Sequence, residues 1–275
     1  MDGDVTTRLA VAKATHGIDA ILHLAGATGV PRSAAEAAQM RAVNVTGTRM
    51  LAECFKGNGP FVFVSSCAVY ARGGHQLISE NSQISPDGLY GETKAEAEEV
   101  VRKLGRERFV IFRPSNVVGP GDRRLHLLRL MQRIGRGRSV PAPAKDAMAN
   151  FVAVEDVARL LRRVVIDNAN ALRGQTMNVN QPMPLLTFLR LVGEVLGRET
   201  HCIGTASATK VIGALVRRLA RRQDAHRLVA LIDTLTSCQT FAIDTLRRWW
   251  PTFPEYGLRR GLVGLAEEFR RRGSL

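Results

Sequence analysis

Phe61-Val62-Phe63-Val64 sets four apolar, β-favouring residues in an unbroken row. Such a run suits a strand of a parallel sheet covered on both faces. Outward from it, residues 19–23 form a second short apolar segment and Phe109-Val110-Ile111-Phe112 a third. Helical patterns at 6–16, 34–56 and 94–104 lie between and around them. This alternation predicts an α/β fold built on a doubly wound parallel sheet.

Beyond Pro114 the pattern loosens. Gly119-Pro120-Gly121 reads as a turn and 123–134 as a helix. A short strand at 151–154 leads into a helix at 155–166, followed by a strand at 176–179 and a helix at 185–196. The remainder reads as mostly basic helix. No internal repeat or low-complexity linker interrupts the chain, so the last third is expected to pack on the sheet.

Tyr90 precedes Lys94 by four residues, which puts both side chains on one helical face. An ammonium beside a phenol favours the phenolate, so Tyr90 is expected to titrate nearer neutral pH and to act as a general base. That is the chemistry needed to oxidise an alcohol by hydride transfer.

Composition bounds the rest. The chain has 275 residues, of which 45% are hydrophobic, enough for a sizeable core. It holds no run of about 18 apolar residues and no apolar N-terminal leader, so a cytoplasmic protein is expected. Cys54, Cys67, Cys202 and Cys238 form no Cys-x-x-Cys pair, and reduced thiols without a metal are expected. The formal charge is +14, much of it on C-terminal arginines such as Arg217, Arg218, Arg259 and Arg260. Such a balance suits anionic partners, although a solvated arginine-rich surface is the simpler reading. No zinc-finger spacing accompanies the charge and aromatics are only 5%, so no nucleic-acid partner is expected. Residues 210–222 are basic and amphipathic. They suit an acidic membrane surface or, more simply, a lid helix over a substrate cleft.

Taken in order, several segments resemble the extended short-chain dehydrogenase/reductase family, in its NAD-dependent nucleotide-sugar epimerase/dehydratase branch. They are Gly3-Asp4-Val5-Thr6, Asp19-Ala20-Ile21-Leu22-His23-Leu24-Ala25-Gly26, Asn44-Val45-Thr46-Gly47-Thr48 and the strand from Phe61 through Ser65, Ser66 and Tyr70. Arg113-Pro114-Ser115-Asn116-Val117-Val118-Gly119-Pro120 and Phe151-Val152-Ala153-Val154-Glu155-Asp156 complete the set. The likeness runs from Gly3 to about Gly264 and implies a Rossmann-like sheet with a smaller C-terminal substrate lobe. It divides the chain into a partial NAD-binding domain at 1–115 and a substrate-binding lobe at 116–275 interleaved with the last sheet strands.

By this resemblance Ser66, Tyr90 and Lys94 are the catalytic residues. Tyr90 exchanges the hydroxyl proton, Lys94 holds the nicotinamide ribose, and Ser66 bonds the reacting oxygen. The cofactor is NAD, with NADP left open, and it is expected to lie against Asp4, Val5, Leu24, Ala25, Gly26, Asn44, Tyr90 and Lys94. Asp4 is expected at the adenine ring, and Asn44 close to the loop after Ser66. Ser66 and Asn116 are expected to touch the substrate, a nucleotide-activated sugar, and a homodimer is expected. Dehydratases of this family carry Asp-Glu after the catalytic hydroxyl. Here Cys67 and Ala68 hold those places, which leaves an epimerase or a 4-keto-sugar reductase.

The sequence departs from the family at its front. The expected strand, Gly-x-x-Gly-x-x-Gly loop and acidic second strand have no counterpart. Gly26-Ala27-Thr28-Gly29 begins such a fingerprint, but Arg32 holds the third glycine position after Pro31. Met1 as an internal methionine of a longer protein is the favoured explanation; a degraded paralogue or a partner-supplied half are the others. An impaired paralogue acting as a binding or regulatory module is therefore the alternative function. Ala149 and Ala153 replace an Arg and a His of relatives, and Arg123, Arg124 or Arg138 are the candidate substitutes for diphosphate binding.

Overall fold

The structure, a computed structural model, describes residues 3–71, 77–105, 107–122, 125–166, 169–204 and 234–275. Its main sheet has four parallel strands in the order β1 (Ile21–His23), β2 (Phe61–Val64), β4 (Phe109–Pro114) and β8 (Gln175–Val179). The unbroken apolar run is explained by what covers each face. Phe61, Phe63 and Ile111 point to one side, where they pack with Ala52 and Phe55 and with Ala97 and Val101. The first pair belongs to the end of α3 (Thr48–Cys54), and the second to α4 (Leu89–Leu104). Val62, Val110 and Phe112 point to the other side. There they meet Leu160 and Val164 of α6 (Val154–Ile166) and Leu246 and Trp250 from α8 (Asp244–Trp249) and its end. Both faces are covered, so the sheet is doubly wound.

A second sheet carries the C-terminal half. In it β5 (Asn116–Val118) runs parallel to β7 (Met148–Ala153), and β9 (Gln181–Pro184) runs antiparallel. Behind it α5 (Leu125–Gly135), α7 (Leu185–Leu196) and α9 (Leu258–Arg271) enclose a separate core around Met131, Phe188 and Leu262. Phe151 stacks on Phe188 with ring centroids 4.3 Å apart. Asp156 fastens the two halves of this region. Its buried carboxylate accepts the N–H groups of Glu255, Tyr256 and Gly257 at 2.7 to 3.0 Å, just before α9 begins.

Several boundaries differ from the sequence expectation. The helix read at 94–104 begins at Leu89, so Tyr90 lies inside its first turn. The stretch 34–56 is α2 (Ala34–Arg41) and α3 joined by a π-helical turn, Ala42–Gly47. Two-residue pairings, β3 (Leu77–Ile78) with β11 (Thr240–Phe241) and β6 (Val140–Pro141) with β10 (Cys202–Ile203), are too short to leave a periodic signal. Among the described residues no helix is long and apolar enough to cross a membrane. The basic stretch 210–222, with Arg217 and Arg218, lies outside the described residues, as do Arg123 and Arg124.

Candidate active site

The carboxyl end of β2 builds the site. Past Val64 the chain stays extended through Ser66, whose hydroxyl accepts the Ala68 N–H at 3.1 Å and caps a short 3₁₀ turn, Cys67–Val69. The first turn of α4 lies against this turn at Gly91. A β-carbon at Gly91 would stand 2.2 Å from the Ala68 carbonyl oxygen, so only glycine permits the approach. Packed this way, the Tyr90 phenol comes to lie beside Ser66.

Lys94, one turn further along α4, is buried. Its Nζ donates to the Val64 carbonyl at 2.8 Å and lies 4.7 Å from the Phe63 ring centroid. Burial pulls its pKa down to about 8, against the nearby Glu98 carboxylate, which favours the charged form. Tyr90 does not follow the sequence expectation of a phenol nearer neutrality. Burial raises its pKa above the ordinary value, and only the neighbouring Ser66 hydroxyl opposes this. The reason is geometric, because the ammonium is turned to the Val64 carbonyl.

Asn44 is buried in the π-helical turn and grips Ala27, accepting its N–H at 2.7 Å and donating to its carbonyl at 3.0 Å. It also donates to Thr93 Oγ1 at 2.9 Å. Asn44 thus ties the loop after β1 to α4. Thr93 in turn donates to the Tyr90 carbonyl, so the grip extends to the dyad. A β-carbon at Gly26 would sit 3.3 Å from Lys94 Nζ and 3.4 Å from Asn44 Oδ1, so this loop closes directly over both.

Leu24, Ala25 and Gly26 are exposed at the carboxyl edge of the sheet. Val5 packs beside Gly47, while the Asp4 carboxylate is occupied by the N–H and hydroxyl of Thr6, both at 2.8 Å. Asn116 is exposed at the start of β5 and donates to the Asn150 carbonyl at 3.0 Å. Arg138 is exposed in the turn after α5. Cys67 is buried with its thiol on the Arg113 carbonyl, and burial holds its pKa well above the ordinary value.

Beneath the dyad lies an ion pair that the sequence reading passed over. Glu98 and Arg113 are both about fully buried. Arg113 donates from Nε and Nη2 to the two carboxylate oxygens at 2.8 and 2.6 Å, and from Nη1 to the Tyr70 hydroxyl at 2.5 Å. Tyr70 passes its own proton to Asn178 Oδ1. Burial opposes the Glu98 charge, yet this two-point bond keeps its pKa below the ordinary value. The signal was present, since Tyr90, Lys94 and Glu98 recur every four residues on one helical face.

A family model described as the NAD dependent epimerase/dehydratase family matches residues 1–180. The GDP-6-deoxy-D-mannose reductase of Pseudomonas aeruginosa is 24% identical over 219 residues, covering 72% of each chain. The solved structure of RMD from Pseudomonas aeruginosa complexed with NADPH superposes with a TM-score of 0.72 at 20% identity, over 99% of this chain and 87% of that one. UDP-glucuronic acid 4-epimerase from Bacillus cereus, in complex with NAD, gives 0.70 at 18% identity, over 96% of this chain and 77% of that one.

Proposed function

Because this chain belongs to the NAD dependent epimerase/dehydratase family, we propose that it interconverts a carbinol and a ketone on a nucleotide-activated sugar, as an epimerase or a 4-keto-sugar reductase. The observation that carries this reading is that Tyr90, on the first turn of α4, lies beside Ser66 with Lys94 one turn away on the same helix.

The residues present fit the nicotinamide half of NAD or NADP. The exposed edge Leu24-Ala25-Gly26 offers backbone approach, and Gly26 leaves Lys94 Nζ and Asn44 uncovered by any side chain of its own. Val64 takes one of the three donors of the Lys94 ammonium, which leaves two for ribose hydroxyls. Bound there, the dinucleotide supplies the hydride acceptor or donor.

Tyr90 carries its proton at neutral pH, since burial raises its pKa. In the reductive direction the phenol gives that proton to the nascent alkoxide and becomes a phenolate, and in the oxidative direction the phenolate takes the hydroxyl proton back. Ser66 fixes the reacting oxygen within reach of the phenol. Asn44 and Thr93 hold the loop over Lys94 in register with α4. Dehydration is not part of the proposal. It needs an acid and a base after the catalytic hydroxyl, and Cys67 is sealed against Arg113 while Ala68 titrates nothing.

Calorimetry with NAD and NADP on the wild-type protein and on Lys94→Met tests the reading. Binding by the wild type that Lys94→Met weakens at least about tenfold is expected. Equal binding by both would overturn the role given to Lys94. Turnover of UDP-sugars and 4-keto sugars then separates epimerase from reductase.

A further inference from the structure

We propose that a cavity on the far side of the Glu98–Arg113 pair is a binding site for a small phosphate-bearing anion, such as a sugar phosphate. The cavity has a volume of about 450 Å³ and lies between Arg102 of α4, Gln175 and Thr176 at the start of β8, and Thr245 and Arg248 of α8. None of Ser66, Tyr90, Lys94 or Asn116 lines it.

The donor chemistry points to an anion. Arg102 Nη2 donates to Thr176 Oγ1 at 3.2 Å, and Arg248 Nη2 donates to Thr245 Oγ1 at 3.2 Å. Each hydroxyl oxygen thus receives a guanidinium N–H and keeps its own proton to give. Among the described residues neither proton has an acceptor. Two arginine–threonine pairs therefore face one space with donors left over on every member.

Charge agrees with this. Arg102 pairs with Glu98 at 2.8 Å, but that carboxylate is already bonded at two points by Arg113. Arg248 makes no ion pair among the described residues. Glu80, on the rim, is the opposing carboxylate, and its Oε1 is held by the Asn178 N–H at 3.0 Å. Three guanidiniums thus share two carboxylates, and both carboxylates are engaged. A compact anion with several acceptor oxygens satisfies the surplus donors, and arginine is suited to bind it at two points.

The volume exceeds that of a lone phosphate and falls in the range of small-ligand pockets, roughly 300–1,000 Å³. The lining is almost wholly polar, with Ile84 its one large apolar side chain, so no aromatic base or lipid tail is accommodated. A phosphate carried on a hydroxylated group matches size and lining together. An occupant would also compete with Glu98 for Arg102, at the end of the row that begins with Tyr90 and Lys94.

Calorimetry with inorganic pyrophosphate, glucose 1-phosphate and glucose tests the proposal on the purified protein. Binding of the two phosphates at one site, no binding of glucose, and a loss of at least about tenfold in Arg248→Gln are expected. Both Arg248 and the partly exposed Thr245 lie at the surface, so Arg248→Gln and Thr245→Val should melt with the wild type. Tyr90→Phe should bind both phosphates as the wild type does, which separates this cavity from the dyad. Equal binding by Arg248→Gln and wild type would assign the affinity to the general basic surface and sink the proposal. So would an absence of binding up to on the order of 10 mM phosphate ligand.

Discussion

Gly91 and Ala68 touch backbone to backbone, and the space for a β-carbon at Gly91 is already filled by the Ala68 carbonyl oxygen, 2.2 Å away. This contact sets the distance between α4 and the turn that carries Ser66. Any side chain at 91 must push the helix outward, and Tyr90 goes with it. Gly91→Ala is therefore expected to lose about 1–3 kcal/mol of stability in a urea melt and to separate Tyr90 from Ser66. An alanine variant as stable as wild type would show that the helix can shift at no cost.

Tyr90→Phe removes only the phenolic oxygen and leaves the ring in place. Turnover should fall on the order of 10²- to 10⁴-fold while the melting temperature stays within a degree or so of wild type. Retention of full activity would end the role proposed for this residue.

The Glu98–Arg113 pair should behave as a buried ion pair does. Glu98→Gln leaves a guanidinium with 1% exposure short of its counter-charge and is expected to cost about 3–5 kcal/mol. Glu98→Gln combined with Arg113→Met removes both charges and should recover a good part of that loss. A double variant as unstable as the sum of the singles would mean that the two residues act independently.

His23 gives a pH dependence with a definite sign. It is buried, its Nε2 is 2.8 Å from Thr48 Oγ1, and the Thr48 proton is given to the Asn44 carbonyl at 2.6 Å. Thr48 can then only accept from the ring, which fixes the Nε2–H tautomer. Burial, with a further contribution from the Lys94 charge, pulls the His23 pKa down to about 3 from 6.5. Between those values the unfolded chain binds the extra proton and the folded chain does not, so stability falls as pH drops through this window. The slope from this residue approaches about 1.4 kcal/mol per pH unit. Urea melts from pH 7 to pH 4 should show a steeper loss for wild type than for His23→Gln. Parallel curves would refute a neutral His23.

Asp156 satisfies three backbone N–H groups with one carboxylate. Asp156→Ala leaves them without that acceptor at the entry to α9, and a loss of about 1–3 kcal/mol is expected. A change below about 0.5 kcal/mol would show that water replaces the carboxylate.

Much of the candidate site could be read from the chain before folding was considered. Tyr90 and Lys94 were legible because helical spacing is local, whereas Ser66 was separated from Ser65 only by the resemblance to the family. Glu98 carried the same four-residue signal but could not be assigned, since a carboxylate on a helix is ordinarily solvated. Its importance depends on Arg113, which reaches it from a strand fifteen residues later. The hydrogen-bond partners of Asn44 were not legible for a related reason. The π-helical turn rotates it toward Ala27 and Thr93, and a single widened turn leaves no mark in hydrophobic periodicity.

Local pattern therefore determined the parallel sheet, both covered faces and the helix that bears the dyad, because burial imposes a period on the residues that meet it. Only the tertiary structure decided which way the Lys94 ammonium points and that the Tyr90 phenol is pushed up rather than down. It alone assembled the two arginine–threonine pairs around one cavity. Desolvation and hydrogen-bond geometry arise between segments far apart in the chain, and no spacing along a single segment encodes them.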